Sequence, residues 1–136
     1  MTVEVIKFNN TQLLNPDDIV IARKLTRDWM IAIGFSLVDQ TKMVTAVSEM
    51  ARNTLDHGGG GAACIEHIKL NGKDGIRLTF EDQGPGISDI DQAMRDGFST
   101  RGSLGLGLGG SKRLVNEFEI SSTPGVGTKI MILRWK

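Results

Sequence analysis

The stretch Ile76-Arg77-Leu78-Thr79-Phe80-Glu81-Asp82-Gln83-Gly84-Pro85-Gly86 decides the fold. Ile76, Leu78 and Phe80 alternate with Arg77, Thr79 and Glu81, the period of a strand in a sheet that is dry on one face and wet on the other. The strand, Gly75 to Glu81, then runs into a loop, Asp82 to Ile87, whose glycines let the backbone turn sharply. Upstream, Ala62 to Leu70 reads as its hairpin partner around the turn Asn71-Gly72-Lys73-Asp74. Downstream, strands near Glu119–Ser122 and Thr128–Trp135 flank Pro124-Gly125-Val126-Gly127. Thr2 to Phe8, with Val3, Val5 and Lys7 to one side, reads as a first strand, and Asn9 to Asn15 as a polar connection.

Helices fill the gaps. Asn15-Pro16-Asp17-Asp18 combines a cap, a proline at the first helical position and two acids near the positive helix end. That helix is expected to reach Ile33 and stop at Gly34. Ser36 caps a second helix, with Asp39 closing a box-like pair and Met43, Val44, Val47, Met50 and Ala51 as its apolar stripe. It should end near His57, before Gly58 to Gly61. Asp89 to Asp96 reads as a short helix, Gly97 to Leu104 as a small, polar segment, and Leu106 to Phe118 as a helix. Helices and mostly antiparallel strands in this order make an α+β fold, a two-layer α/β sandwich with a mixed, mostly antiparallel sheet and helices on one face.

The 136 residues suit a single domain, 1–136, and the 40% hydrophobic fraction suffices for one core. Sixteen basic and sixteen acidic residues cancel, so no strong field draws the chain to nucleic acid or to an acidic membrane. Cys64 has no cysteine to pair with, and no Cys/His spacing marks a zinc site; a buried small residue is the expected role. Neither a signal peptide nor a bilayer-spanning run is present, which makes a reducing cytoplasm the expected location.

Three features could carry chemistry. Glu49 and Asn53, four residues apart, share a helix face beside the apolar stripe; a carboxylate and an amide oxygen are hard ligands that suit magnesium, and the carboxylate can act as a base. The same pair also suits a solvated helix surface. Asp82-Gln-Gly84-Pro-Gly86 offers an acceptor-only acid that would hold the exocyclic amine of adenine and repel a carbonyl there; it equally suits an Asp-initiated turn. Gly102-Ser-Leu-Gly105-Leu-Gly107-Leu-Gly109-Gly110 offers backbone amides for phosphate ahead of a helix, or a flexible loop. Gly105, Gly107 and Gly110 fit G-x-G-x-x-G, but no strand precedes them and no acid follows near Val126 to Ile130. A phosphate-binding P-loop fails because Ser111 separates Gly110 from Lys112.

Taken in order, these motifs resemble the ATPase and kinase superfamily of gyrase, the Hsp90 chaperone, histidine kinases and MutL. The resemblance rests on Glu49-Met-Ala-Arg-Asn53 with Asp56-His57-Gly58, on Asp82-Gln-Gly84-Pro-Gly86, on Gly105-Leu-Gly107-Leu-Gly109 and on Gly127-Thr128, which span most of the chain. Within it the chain is most similar to the stressosome switch kinases and their anti-sigma-factor kinase relatives, through Val47 to Asn53, Glu81 to Ile87, Asp96-Gly-Phe-Ser-Thr100 and Lys112 to Phe118.

The resemblance implies a Bergerat-type ATP-binding fold with ATP and Mg2+ as cofactors. Asn53 would hold the magnesium, Asp82 would select adenine with Thr128 in support through water, and Glu49 would be the general base. Gly84, Gly86 and Ile87 would shape the pocket with His57; Gly102, Leu104, Gly105, Leu106, Gly107 and Leu108 would surround the phosphates. A lid would cover ATP from about residue 88 to 104, with Arg101 the candidate for the γ-phosphate. Thr54 stands where many relatives carry Ala, and the spacing of Arg101 departs from the family pattern. The implied activity is a serine/threonine protein kinase acting on STAS-domain scaffold or antagonist proteins. The other implied partner is a PP2C-type phosphatase, with no nucleic acid or membrane, and the kinase is a monomer or homodimer. An alternative is an ATP-dependent sequestration module, an anti-sigma factor or phosphatase-activating switch protein, in which binding outweighs catalysis. A histidine-kinase catalytic domain would need a dimerisation helix pair with a phospho-accepting histidine, and His57 and His67 both read instead as core or cleft-edge residues.

Overall fold

Asn15 accepts a hydrogen bond from the Asp18 N–H, and Asp18 reaches back to the Asn15 N–H, closing a capping box over Pro16. Such a cap contributes about 1 kcal/mol. It starts helix α1, Pro16–Ile33, which ends on Gly34 in the left-handed region at φ 102°. Helix α2, Leu37–Asp56, starts on Ser36, whose hydroxyl accepts from the Asp39 N–H. Only that half of the expected box forms, because the Asp39 carboxylate is taken by Arg134 at 2.6 Å. The computed structural model describes residues 2–95 and 107–136.

Five strands make one sheet: β1 (Glu4–Leu13), β2 (Gly61–Leu70), β3 (Lys73–Asp82), β4 (Glu117–Thr123) and β5 (Gly127–Trp135). Their order is β1-β2-β3-β5-β4, and every neighbouring pair is antiparallel. Two short helices, α3 (Ile90–Ala93) and α4 (Gly107–Lys112), lie between β3 and β4. The alternation in β3 sends Ile76, Leu78 and Phe80 into the core, where Ala63 and Ile65 of β2 and Ile130 and Ile132 of β5 join them. Met30, Met43, Val47 and Met50 from α1 and α2 close over these residues and are fully buried. Each large side chain so buried contributes about 1.5–3 kcal/mol, which fixes α2 on the sheet and thereby places its polar face.

The structure departs from the sequence reading in several places. Strand β1 does not stop at Phe8: Asn9 to Gln12 continue it, pairing with Ile65 to Ala62 of β2. As the sheet edge it covers little, and Val5, Ile6 and Phe8 are exposed, while the Lys7 ammonium sits 4.3 Å over the Trp29 ring. The β2–β3 turn is tighter than expected, with only Asn71 and Gly72 between strands, both at positive φ (53° and 79°). Asn-Gly is the pair that such a two-residue hairpin favours. Helix α3 is four residues long rather than spanning 89–96.

The helix expected over Leu106 to Phe118 survives only as Gly107–Lys112. Its last turn tightens to i→i+3 bonds, from Arg113 to Gly110 and from Leu114 to Ser111. The Asn116 N–H then bonds Leu133, and β4 begins at Glu117. Sheet pairing thus captures Phe118 opposite Ile132 before the helix reaches it.

Candidate active site

Helix α2 carries Glu49 and Asn53 one turn apart, on one face. That face meets a cleft and not bulk water: Glu49 is 4% and Asn53 7% exposed. With His57, the C-cap of the helix, they line a cavity of about 240 Å3. Gly86 and Ile87 from the loop after β3, and Gly107 and Leu108 from α4, line the same cavity. Of the expected lid, Ser88, Asp89, Gln92 and Ala93 face this space. Residues 96–104, and with them Arg101, Gly102 and Leu104, lie outside the described residues, as do Gly105 and Leu106.

Asp82, Gly84 and Thr128 are not among the cavity-lining residues; they sit at the adjoining end of the sheet. Asp82 and Thr128 face each other across β3 and β5. The link to the cavity is Gly58, next to His57. A Cβ on Gly58 would stand 2.3 Å from Asp82 Cγ, and one on Gly84 would stand 2.7 Å from Gly58 Cα. Bare backbone is therefore what lets the end of α2, Asp82 and Gly84 converge. Gly86, at φ 77°, is held the same way against the β4–β5 turn, where a Cβ would meet the Thr123 carbonyl at 2.5 Å. Gly125 N–H donates to the Pro85 carbonyl at 2.7 Å, tying the two loops together.

The Asp82 Oδ1 accepts from the Gly84 N–H at 2.9 Å, an Asx turn of the kind its position predicts. Among the described residues no hydrogen bond reaches Oδ2, so one acceptor of this carboxylate is uncommitted. Thr128, 6% exposed, shares a hydrogen bond with Ser122 at 2.8 Å. Ser122 also accepts from the Ile87 N–H at 2.7 Å and donates to the Gly127 carbonyl at 3.1 Å. The sequence reading missed Ser122. Counting outward from the β4–β5 turn would have placed it opposite Thr128. Met50 was also missed as a cavity residue, and Asp89 and Gln92 were expected only as part of the lid. Asp89 and Gln92 mark themselves as the cap and third residue of α3, with the Asp89 carboxylate accepting from the Gln92 N–H.

A second groove lies between α1 and α2, lined by Arg23, Arg27, Thr41, Thr45, Ser48 and Arg52, and it shares Glu49 with the cavity. Glu49 thus stands between a mixed polar and apolar cleft and an arginine-rich surface. Thr54, the departure from Ala, is buried and donates to the Met50 carbonyl at 3.0 Å, which satisfies its hydroxyl inside the helix. His67 lies at the other end of the sheet, bonded to Asp74 at 2.9 Å. Cys64 is half-buried rather than buried, and burial pushes its thiol up from the ordinary value, away from nucleophilic chemistry.

Residues 38–136 match the family of histidine kinase-, DNA gyrase B- and HSP90-like ATPases. The serine/threonine-protein kinase RsbT of Bacillus subtilis (strain 168) is 49% identical over 118 residues, 87% of this chain and 89% of that protein. The anti-sigma F factor of Thermoanaerobacter sp. (strain X514) is 36% identical over 96 residues, 67% of this chain and 66% of that factor. Two solved structures share the fold. A crystal structure of RsbU and RsbW domains from Mycobacterium tuberculosis matches with a TM-score of 0.65 at 19% identity. That match covers 96% of this chain but only 33% of the larger one. The SiaB–SiaC complex from Pseudomonas aeruginosa gives 0.58 at 12% identity, over 98% of this chain and 91% of its counterpart.

Proposed function

This chain belongs to the family of histidine kinase-, DNA gyrase B- and HSP90-like ATPases, as a serine/threonine-protein kinase of its anti-sigma-factor branch, and from that premise we propose how its residues divide the work and which protein it phosphorylates. The acceptor is a serine or threonine of a STAS-domain partner, in a partner-switching circuit that includes a PP2C-type phosphatase. Residues 1–136 act as one kinase domain. ATP is the nucleotide. The observation that carries the reading is the convergence of Glu49 and Asn53 with Gly86, Ile87, Gly107 and Leu108 on one cavity.

The lining suits the nucleotide. Met50, Ile87, Ala93 and Leu108 supply apolar contact, and Glu49, Asn53, Asp89 and Gln92 supply polar groups. Asp82 Oδ2, at the sheet end beside Gly58, is an open acceptor for the adenine amine. Asn53 presents an amide oxygen from a rigid helix and would hold Mg2+, which would supply positive charge to offset that of the phosphates. Arg101, beyond the described residues, is assigned to the γ-phosphate on sequence alone.

Glu49 takes the proton from the acceptor hydroxyl. Phosphoryl transfer asks mainly for in-line positioning and charge stabilisation, so one well-placed base completes the protein's share. Because Glu49 also borders the groove of Arg23, Arg27 and Arg52, the partner's hydroxyl is read as arriving from that side, with its acidic surface against the arginines. No helix among the described residues is long and apolar enough to cross a membrane.

The test is transfer of labelled phosphate from Mg·ATP to a STAS-domain protein. Replacing Glu49 by Ala is expected to slow transfer by roughly 10²–10⁴-fold while ATP still binds within a few-fold. Undiminished transfer would remove Glu49 as the base. Lost transfer with intact regulation of the partner would instead favour a sequestering module.

A further inference from the structure

We propose that Ser122, which touches no substrate in the reading above, sets the base specificity of the site by fixing which way the Thr128 hydroxyl points. A hydroxyl has one proton and two lone pairs. The Ile87 N–H can only donate, and it occupies one lone pair of Ser122 Oγ at 2.7 Å. The Gly127 carbonyl can only accept, and it lies 3.1 Å away, so it takes the single Ser122 proton. Thr128 Oγ1 is 2.8 Å from Ser122 Oγ. With the serine proton already assigned, the threonine must be the donor in that contact.

This arrangement satisfies all three contacts of Ser122. The reverse, with Ser122 donating to Thr128, makes one hydrogen bond fewer among these groups, because the Ser122 proton is then lost to the Gly127 carbonyl. The Thr128 proton is therefore committed inward, and the hydroxyl offers the base, or a water that bridges to it, only lone pairs. Asp82, its cross-strand partner, is likewise acceptor-only, with Oδ1 already holding the Gly84 N–H. The end of the sheet presents two acceptors side by side. An adenine edge brings an amine to this place; a hypoxanthine or guanine edge brings a carbonyl oxygen, which two acceptors repel. Ser122 is a positioning residue: without it Thr128 can rotate and donate to that carbonyl.

The inference rests on the assignment of Asp82 and Thr128 to the base. Inosine triphosphate is the probe, because it exchanges the amine for a carbonyl, with the proton on N1 that accompanies it, and lacks the second exocyclic amine of guanine. Affinities of the full chain for Mg·ATP and Mg·ITP are measured by calorimetry for the wild type, Ser122→Ala and Ser122→Thr. The wild type should prefer ATP. In Ser122→Ala the ATP:ITP affinity ratio should fall about tenfold, the equivalent of one mispaired hydrogen bond, mainly through tighter ITP binding. Ser122→Thr keeps the hydroxyl and should restore the ratio. A purely structural role, through the anchor on Ile87, would weaken both nucleotides equally; an unchanged ratio would overturn the proposal. A wild type that does not distinguish ATP from ITP would instead overturn the assignment of Asp82 and Thr128. If Ser122→Ala unfolds, the ratio in Thr128→Val, which removes the hydroxyl altogether, decides: it must fall if a Thr128 lone pair selects the amine.

Discussion

Strands β3 and β5 are bonded along their whole length, yet their two ends are built on opposite principles. At one end Arg134 of β5 donates to Asp39 at 2.6 Å and to the Leu114 carbonyl at 2.8 Å. Nearby, His67 bonds Asp74 at 2.9 Å and Lys69 approaches it at 3.8 Å. Asp39 and Asp74 there each meet a cation. At the other end, among the described residues, Asp82 has a single backbone N–H for a partner and Thr128 a single serine. The contrast separates a charge that locks the fold from one held ready for a ligand. A paired carboxylate has nothing left to recognise with. An uncommitted one costs stability and is retained where a ligand completes it.

The sharpest way to break this comparison is to replace Asp82. Asp82→Asn keeps the shape and the acceptor that holds Gly84, but turns an amide N–H toward the adenine amine. Affinity for Mg·ATP should fall by about 100-fold, the scale of losing a charge-assisted hydrogen bond and gaining a donor–donor clash. The melting temperature of the nucleotide-free chain should hardly move, because the carboxylate has no cation to lose. A large fall in stability with unchanged ATP affinity would reverse the assignment of the two ends.

Gly58 comes next. A methyl there would lie 2.3 Å from Asp82 Cγ and 2.6 Å from Oδ2, so either the acid or the end of α2 must move. Gly58→Ala should lower ATP affinity roughly tenfold, through the displaced acid, with a moderate loss of thermal stability. Gly59, where a Cβ would meet nothing within 4 Å, is the matched control for space, although its φ of 73° adds strain of its own. Equal losses of affinity at the two positions would mean that backbone strain, and not the approach to Asp82, matters.

The two principles also explain what was legible in the sequence. Glu49, Asn53 and Asp82 could be picked out because each is a chemically distinct residue at a fixed offset within one element or turn. The capping residues Asn15 and Ser36 were legible for the same reason, since a cap is decided within four residues. Gly58 and Ser122 acquire their roles only through partners far along the chain: Gly58 through Asp82, Ser122 through Ile87 and Thr128. The overrun of β1 through Asn9 to Gln12 has a similar cause. Asn9 and Asn10, of low strand preference, are held extended by β2, which supplies the ladder bonds. The shortened α4 is the converse, an apolar spacing that suits a helix but is claimed by β5. Asp39 was read as half of a capping box because Arg134, 95 residues away, could not be seen.

That ion pair supplies the smallest effect on nucleotide affinity and the one with a defined pH dependence. The Arg134 guanidinium beside Asp39 holds its carboxyl below the ordinary value of 3.8. A group whose value is lowered on folding adds stability above its unfolded value and loses it as the pH falls through the folded one. Arg134→Met should therefore cost about 2 kcal/mol in urea unfolding at pH 7, partly from the pair and partly from the bond to Leu114. The gap to the wild type should narrow once the pH drops below about 4 and Asp39 becomes protonated in both proteins. Asp74, lowered chiefly by the bond from His67, keeps its own acid dependence in the variant, so both proteins should still weaken in acid, but the wild type more steeply. ATP affinity should stay within two-fold, since the far end of the sheet is untouched. A constant gap from pH 7 to pH 3 would show that Arg134 stabilises the fold through Leu114 and packing alone, and that the locked end owes nothing to its charges.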